Sequence, residues 1–426
     1  MKRFLSGDEA FAEGVRLAKP QVISAYPITP QTVVVERLSE MVEEGSLKAE
    51  YVHVESEHSA LSCAMGASAT GARTFTATSS QGLLYMAEVL TYAAGGRFPI
   101  VTMNANRATA LPWNIYGDQR DSLALLDHGW IQAYAENNQE ALDLALMAYA
   151  VAEDPSVLTP FMVNLDGFAL THTYETVDVP AEEDADAFLP PYQATNCFDF
   201  EHPKNIGYSA GPDYNRYFKY CEHRDMLGAF EAIDRAEARF AECFGRAYTG
   251  PIEAVSCDDA EAVIVTLGSI AGLARESVAR LRKQGKRVGL LRVRYMRPFP
   301  AKFIAEALSG ATAVGVLEKD ISFGAEGTVF TNVNSALQQA GCTMPTFNFI
   351  GGLGGDDITS AQMDAMFDAL LDSAGERGRD DAAAGRSCDD ASTGRGAGLG
   401  RVSFLGIDFP VAGRPACCDD CEEGAR

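Results

Sequence analysis

The stretch Gln21-Val22-Ile23-Ser24-Ala25-Tyr26-Pro27-Ile28-Thr29-Pro30-Gln31-Thr32 reads as a strand end, a stiff loop and a helix start. Val22 and Ile23 supply the apolar strand. Pro27 and Pro30 exclude helix between them, and each pushes the residue before it toward extended backbone. The Thr29 hydroxyl is thereby presented in a fixed direction. A helix starts around Gln31 or Thr32, because proline suits a first helical turn and Val33-Val34-Val35-Glu36-Arg37-Leu38 continues at helical spacing. A junction of this kind is where α/β domains hold ligands, although Pro-x-x-Pro is also an ordinary turn.

Working outward, the neighbouring segments repeat the alternation. Gly7–Leu17 and Val33–Leu47 have helical stripes, and Ala49–Val54 alternates as a strand. Glu55-Ser56-Glu57-His58-Ser59 leads into Ala60–Ala69, a helix of small residues suited to close packing. Strand Arg73–Thr78, turn Ser79-Ser80-Gln81-Gly82, helix Leu83–Tyr92 and strand Pro99–Asn104 follow. Helix Gln139–Glu153 and strand Pro160–Asp166 complete a doubly wound parallel sheet, expected to span residues 1–180. Residues 181–260 read as a connector, acidic, aromatic and without period at first, then helical from Tyr220 to Tyr248. A second doubly wound α/β unit is expected over 261–374, with strands at Ala262–Ser269, Arg287–Val293 and Ala313–Glu318. Residues 375–426 are expected to be a disordered tail of low complexity. It carries a short apolar island, Val402–Gly406, and ends with Cys417, Cys418 and Cys421.

The chain has 426 residues, is 47% hydrophobic and carries a formal charge of −24. That composition suits a globular protein with a large core. Its charge argues against nucleic acid or an anionic membrane as partner. Asp8, Glu9 and Glu13 break any apolar segment near the start, so no signal peptide is expected. No apolar run is long enough to span a bilayer. The cysteines of the domain-like sequence are scattered singly, which suits a reducing compartment. The expectation is a cytoplasmic protein. Cys418 and Cys421 have C-x-x-C spacing, but with no second pair nearby they read as free thiols, and no metal site is expected.

Three groups could do chemistry. The Thr29 hydroxyl can donate to a carbonyl or carboxylate. Glu55 and Glu57, two apart in an extended segment and so facing the same way, both place a carboxyl after a strand, at the mouth of a close-packed helix, where either could instead serve as a cap favoured by the helix dipole. Arg107, just beyond a strand end, offers a guanidinium that can fork onto a carboxylate. Its bland alternative is an ion pair with Asp118 or Asp121. His53 and His58 have no partner at ligand spacing. No Gly-Asp-Gly, P-loop or repeated C-x-x-C is present, so neither a diphosphate site nor an iron–sulfur cluster is expected in this chain.

Tyr26-Pro27-Ile28-Thr29-Pro30, Ser56-Glu57 before the small-residue helix, and the Arg107 loop resemble the 2-oxoacid:ferredoxin oxidoreductases, specifically the α subunit of the multi-subunit pyruvate form. The resemblance runs from about Ser6 to Thr359. It implies a thiamine-diphosphate pyrimidine-type domain followed by a transketolase C-terminal-like domain. It selects Glu57 as the carboxyl on the aminopyrimidine, Thr29 and Arg107 as substrate-binding, and Gln81 and Gly82 as cofactor-pocket residues. Asn114–Asp118 matches the family without an assigned role. The resemblance also implies β, γ and δ partner subunits, with the Mg-diphosphate site and the iron–sulfur clusters residing in partners. Ferredoxin, CoA and a 2-oxoacid would act on the complex. The acid is expected to be pyruvate, with 2-oxoisovalerate, 2-oxoglutarate or a non-catalytic assembly role as alternatives.

Overall fold

A computed structural model describes residues 1–203, 205–380 and 402–406. The first part of the chain runs β1 (Lys2–Ser6), α1 (Gly7–Ala18), β2 (Val22–Ala25), α2 (Thr32–Glu43), β3 (Glu50–His53), α3 (Glu57–Ala69) and β4 (Thr74–Thr78). Two short helices follow, α4 (Gln81–Tyr85) and α5 (Ala87–Gly95), then β5 (Val101–Asn106), α6 (Arg120–Leu123), β6 (Ile131–Tyr134), α7 (Asn138–Ala152), β7 (Phe161–Asp166) and β8 (Tyr174–Asp178). Next come α8 (Glu182–Phe188), the 33-residue α9 (Pro212–Phe244) and β9 (Ile252–Val255). The remainder is β10 (Ala262–Leu267), α10 (Ile270–Lys283), β11 (Val288–Val293), β12 (Tyr295–Arg297), α11 (Ala301–Leu308), β13 (Ala313–Glu318), α12 (Thr328–Gln339), β14 (Thr346–Ile350), α13 (Ser360–Asp380) and β15 (Val402–Phe404).

A seven-stranded sheet has the order β12-β6-β7-β5-β4-β2-β3. Strands β2 to β7 in it pair in parallel. Successive residues face opposite sides, so Phe161 and Val163 enter the core beneath α1, α2 and α7, while Met162 enters that beneath α3 and α5. Helices on both faces make this a doubly wound α/β layer. The second sheet, β15-β14-β13-β10-β11-β9, divides its residues likewise: Val263 and Val265 pack toward α11 and α12, Ile264 toward α10 and α13.

Several short strands are additional to the sequence reading. β1 pairs antiparallel with β8, and β9 antiparallel with β11. β12 leaves the second unit and adds an antiparallel edge to the first sheet, beside β6. The backbone N–H of Tyr134 donates to the Arg294 carbonyl at 2.9 Å at this crossing. Below it Arg294 is held between Glu140, at 2.9 Å, and Glu237, all three nearly fully buried. At the far end, α13 continues through residues read as tail, and the island Val402–Phe404 pairs in parallel with Asn348–Ile350. The rest of the expected disordered tail, with Cys417, Cys418 and Cys421, lies outside the described residues. No helix among the described residues is long and apolar enough to cross a membrane.

Candidate functional site

Four parallel strands, β5-β4-β2-β3, end at one edge of the first sheet, with Ala25 opposite His53 and Thr78 opposite Asn104. Each hands the chain to a loop carrying one candidate group: Thr29 after β2, Glu57 after β3, Gln81 and Gly82 after β4, Arg107 after β5. The chain winds outward to β3 on one side of β2 and to β4 and β5 on the other, so the loops converge at the topological switch point, where open α/β sheets bind ligands.

Ser56 caps α3, its Oγ accepting the Ser59 N–H at 3.2 Å. The cap starts the helix at Glu57 rather than at Ala60. Glu55 and Glu57 therefore do not share the extended segment expected from the sequence. Glu55 is exposed and accepts from the Ser59 hydroxyl at 2.6 Å. Glu57 lies in the first turn, only 9% exposed, and its carboxyl makes no hydrogen bond among the described residues. It rests against Gly82. A Cβ at Gly82 would lie 2.6 Å from Glu57 Oε1 and 2.7 Å from Thr78 Oγ1. The Thr78 and Ser79 hydroxyls are buried and also have no hydrogen-bond partner among the described residues. A desolvated carboxyl, free hydroxyls and a cradle only glycine leaves open fit a polar heteroaromatic ligand that supplies the missing hydrogen bonds.

Arg107 is 6% exposed. One Nη donates to the Thr29 carbonyl at 2.6 Å and the other to Gln81 Oε1 at 3.3 Å, while Nε is buried without an acceptor among the described residues. Among the described residues no carboxylate pairs with the guanidinium. Burial lowers its pKa, and Asp121 and Glu57 within electrostatic reach oppose that shift. The bland alternatives resolve differently. Asp118 pairs with Arg120 at 2.8 Å, and Asp121 bonds the backbone N–H of Arg107 at 3.1 Å, not its side chain. The result is a buried cation with spare donors beside the Glu57 cradle, suited to an incoming carboxylate. Thr29 reaches this point through its carbonyl. Its hydroxyl is exposed at the rim and makes no hydrogen bond among the described residues. Gln31 braces the loop from inside, donating to the carbonyls of Tyr26 and Ala77, each at 3.0 Å.

The Asn114–Asp118 loop has a structural part to play. Asn114 donates to the Gly354 carbonyl at 2.9 Å, and the Gly355 N–H to the Gly117 carbonyl at 2.8 Å. Beside it Gln119 Nε2 donates to Asp166 at 3.0 Å, and Asp166 receives the Ser269 N–H at 2.8 Å and the Lys319 ammonium at 3.4 Å. The second unit thus grips the loop that continues from Arg107. His53 and His58 stay out of the site: His53 packs at a tilt against Tyr51, and His58 approaches Glu88 at 3.4 Å. Asp121, Gln31 and Gly354 escaped the sequence reading as site-forming residues. Each works through contacts between segments far apart in the chain, which no local pattern announces.

The fold is a doubly wound α/β arrangement, and comparison with known proteins gives its family. Residues 13–238 match the family model described as pyruvate flavodoxin/ferredoxin oxidoreductase, thiamine diphosphate-binding, and residues 260–363 match pyruvate:ferredoxin oxidoreductase core domain II. The chain belongs to this family. It is 48% identical to pyruvate synthase subunit PorA of Methanothermobacter thermautotrophicus, over 85% of this chain and 94% of that one. It is 45% identical to ketoisovalerate oxidoreductase subunit VorA of Pyrococcus abyssi, over 86% and 92%. Its fold resembles a solved 2-oxoglutarate:ferredoxin oxidoreductase of Magnetococcus marinus, with a TM-score of 0.67 at 20% identity. That match covers 88% of this chain, which spans 65% of the solved one.

Proposed function

We propose that this chain is the α subunit of a pyruvate:ferredoxin oxidoreductase, the enzyme that converts pyruvate and CoA to acetyl-CoA and CO2 and passes electrons to ferredoxin. The observation that carries the reading is the pair formed by the unpartnered Glu57 carboxyl in its glycine cradle and the carboxylate-free Arg107 beside it. Residues 1–180 serve as the pyrimidine-side domain, 181–260 as a connector and 261–374 as the transketolase-like unit that braces it. Thiamine diphosphate, when bound, supplies the carbon nucleophile and electron sink for 2-oxoacid decarboxylation. Glu57 would hold the aminopyrimidine through a hydrogen bond to N1′, which would favour the tautomer that can take up a proton at the 4′ nitrogen. The Gln81–Gly82 turn lines that pocket. Arg107 binds the substrate carboxylate, and the Thr29 hydroxyl orients the substrate. The Mg-diphosphate site belongs to a β subunit, the iron–sulfur clusters to partner subunits, and γ and δ subunits complete the assembly, in the cytoplasm.

The PorA relatives favour pyruvate. A second reading, 2-oxoisovalerate, is favoured by the VorA relative at 45% identity. Ferredoxin or viologen reduction by the co-purified complex, with CoA and each acid in turn, separates the two. Arg107→Ala should raise KM for the preferred acid roughly ten- to a hundred-fold, the worth of a charge-assisted hydrogen-bond pair. An unchanged KM would remove Arg107 from the substrate site. No turnover with any acid, in a complex holding its clusters, would favour an assembly role.

A further inference from the structure

We propose that Asp121 is the positioning residue of the carboxylate site: it locks the Arg107 backbone and the Ser80 turn into one frame, so that the guanidinium and the Glu57 cradle keep their mutual placement. The inference deepens the reading that Arg107 binds the substrate carboxylate and rests on it.

Asp121 is fully buried, and each of its hydrogen-bond partners among the described residues donates. Oδ1 receives Asn106 Nδ2 and the Ser122 N–H, both at 2.7 Å. Oδ2 receives the Ser80 N–H at 3.0 Å, the Arg107 N–H at 3.1 Å and Asn104 Nδ2 at 3.2 Å. These five donors come from three separate segments: the turn after β4, the end of β5 and the start of α6. Charge-assisted bonds of this kind are about twice as strong as neutral ones.

The turn needs such an anchor. Ser80 has φ 53° and ψ −125°, a conformation in which a residue with a Cβ is strained. Its N–H donates to Asp121, and its Oγ lies 2.8 Å from the Ala108 carbonyl, on the Arg107 loop, and 2.7 Å from Gln81 Oε1. The next residue, Gln81, accepts from Arg107, and Gly82 abuts Glu57. Releasing Asp121 would therefore free both halves of the site together.

Five donors and no acceptor suit only the ionised carboxylate. The titratable and charged groups facing it are Arg107, Asp118 with its partner Arg120, and Tyr134 behind Ser122. Burial pushes the Asp121 carboxyl up to about 6 against the bonds from Asn106 and the Arg107 and Ser122 N–H groups, which lower it. A proton, or the NH2 of asparagine, would point a sixth donor at the cluster.

The test uses the assembled complex and calorimetric binding of oxamate, a carboxylate-bearing mimic of pyruvate that requires no turnover. Asp121→Asn should weaken oxamate roughly ten- to a hundred-fold, the range for losing charged hydrogen bonds. The wild-type Kd should rise as pH falls through about 6, and the variant's should stay flat. In an Arg107→Ala background Asp121→Asn should add nothing, because it acts through Arg107. An unchanged Kd in assembled Asp121→Asn, or effects that multiply in the double variant, would overturn the inference. If Arg107→Ala alone leaves Kd unchanged, the carboxylate reading falls and this inference with it. If Asp121→Asn does not assemble, Asn106→Ala removes the amide donor to Asp121 and introduces no donor of its own. It should weaken oxamate about three-fold, roughly the worth of one net hydrogen bond, and an unchanged Kd would again overturn the inference.

Discussion

Gly82→Ala probes the cofactor cradle with a single methyl. The added Cβ would stand 2.6 Å from Glu57 Oε1, 2.7 Å from Thr78 Oγ1 and 2.8 Å from Glu57 Cγ. Ordinary contact begins near 3.4 Å, so the carboxyl must retreat by about 0.8 Å. Overpacking of this size costs about 1–3 kcal/mol. Alanine in place of a helical glycine returns about 0.8–1 kcal/mol, which leaves a net cost of about 0–2 kcal/mol in stability. The functional cost is larger, since misplacing a catalytic group by about 1 Å lowers the rate about a hundred-fold. We expect a complex that assembles and melts within a few degrees of the parent. Its thiamine diphosphate Kd should rise about ten-fold or more, and kcat/KM should fall about a hundred-fold. Titration of the cofactor into the stripped complex gives the first number, and viologen reduction the second. Glu57→Gln in parallel should reproduce the loss of rate. Gly82→Ala with parental cofactor affinity and rate would show that Glu57 is not the group in the cradle.

Two further outcomes follow from the structure. Gly355→Ala places a side chain at φ +80° with its Cβ 2.4 Å from that of Tyr116. We expect a loss of about 2–5 kcal/mol, from left-handed strain plus overpacking, read as a lower Tm with the loop beyond Arg107 becoming protease-sensitive. Glu318 is buried, its carboxylate receiving the N–H groups of Val329 and Phe330 and Asn348 Nδ2, and burial with neighbouring Asp320 raises its pKa to about 8. The folded state then binds a proton that the unfolded state, with an ordinary pKa near 4.3, releases. Glu318 therefore lends stability that is complete at low pH and is lost as pH rises toward and through about 8. Thermal melts from pH 5 to 9 should show that decline, and Glu318→Gln should flatten it; an unaltered slope would refute the assignment.

What could be read from the sequence was whatever repeats locally. The helix–strand alternation around β2 to β5 carries its own periodicity, and Pro27 and Pro30 mark the loop between them. Glu55, Glu57 and Arg107 became candidates because each follows a strand, the position where a parallel sheet presents side chains to ligands, and the family resemblance singled out Glu57 and Arg107. The strands that escaped were those whose existence depends on a distant partner. Lys2–Ser6 needs Tyr174–Asp178, and Val402–Phe404 needs Asn348–Ile350. In isolation such three- to five-residue segments have no period to show. Glu57 was assigned to extended chain because the Ser56 cap was overlooked. Asp121 was weighed only as an ion-pair partner, since nothing in Gly117-Asp118-Gln119-Arg120-Asp121 tells which buried aspartate meets the Ser80 and Arg107 backbones. Its meaning comes from five donors that meet only after the sheet has formed.

The crossing strand Tyr295–Arg297 has a bearing on how the molecule is made. Synthesis delivers β6 more than 150 residues before the segment that covers its free edge. Until then the nascent sheet exposes unpaired N–H and C=O groups along Ile131–Tyr134, the kind of edge on which chains aggregate. The two halves are therefore a single cooperative unit in folding, with the later half acting as a built-in guard for the earlier one. A gene truncated after α9 would yield a product whose first sheet lacks an edge strand and whose Glu140 has lost its two buried arginine partners, Arg292 and Arg294. Supplied as two separate polypeptides, the halves should become soluble only when they are produced together.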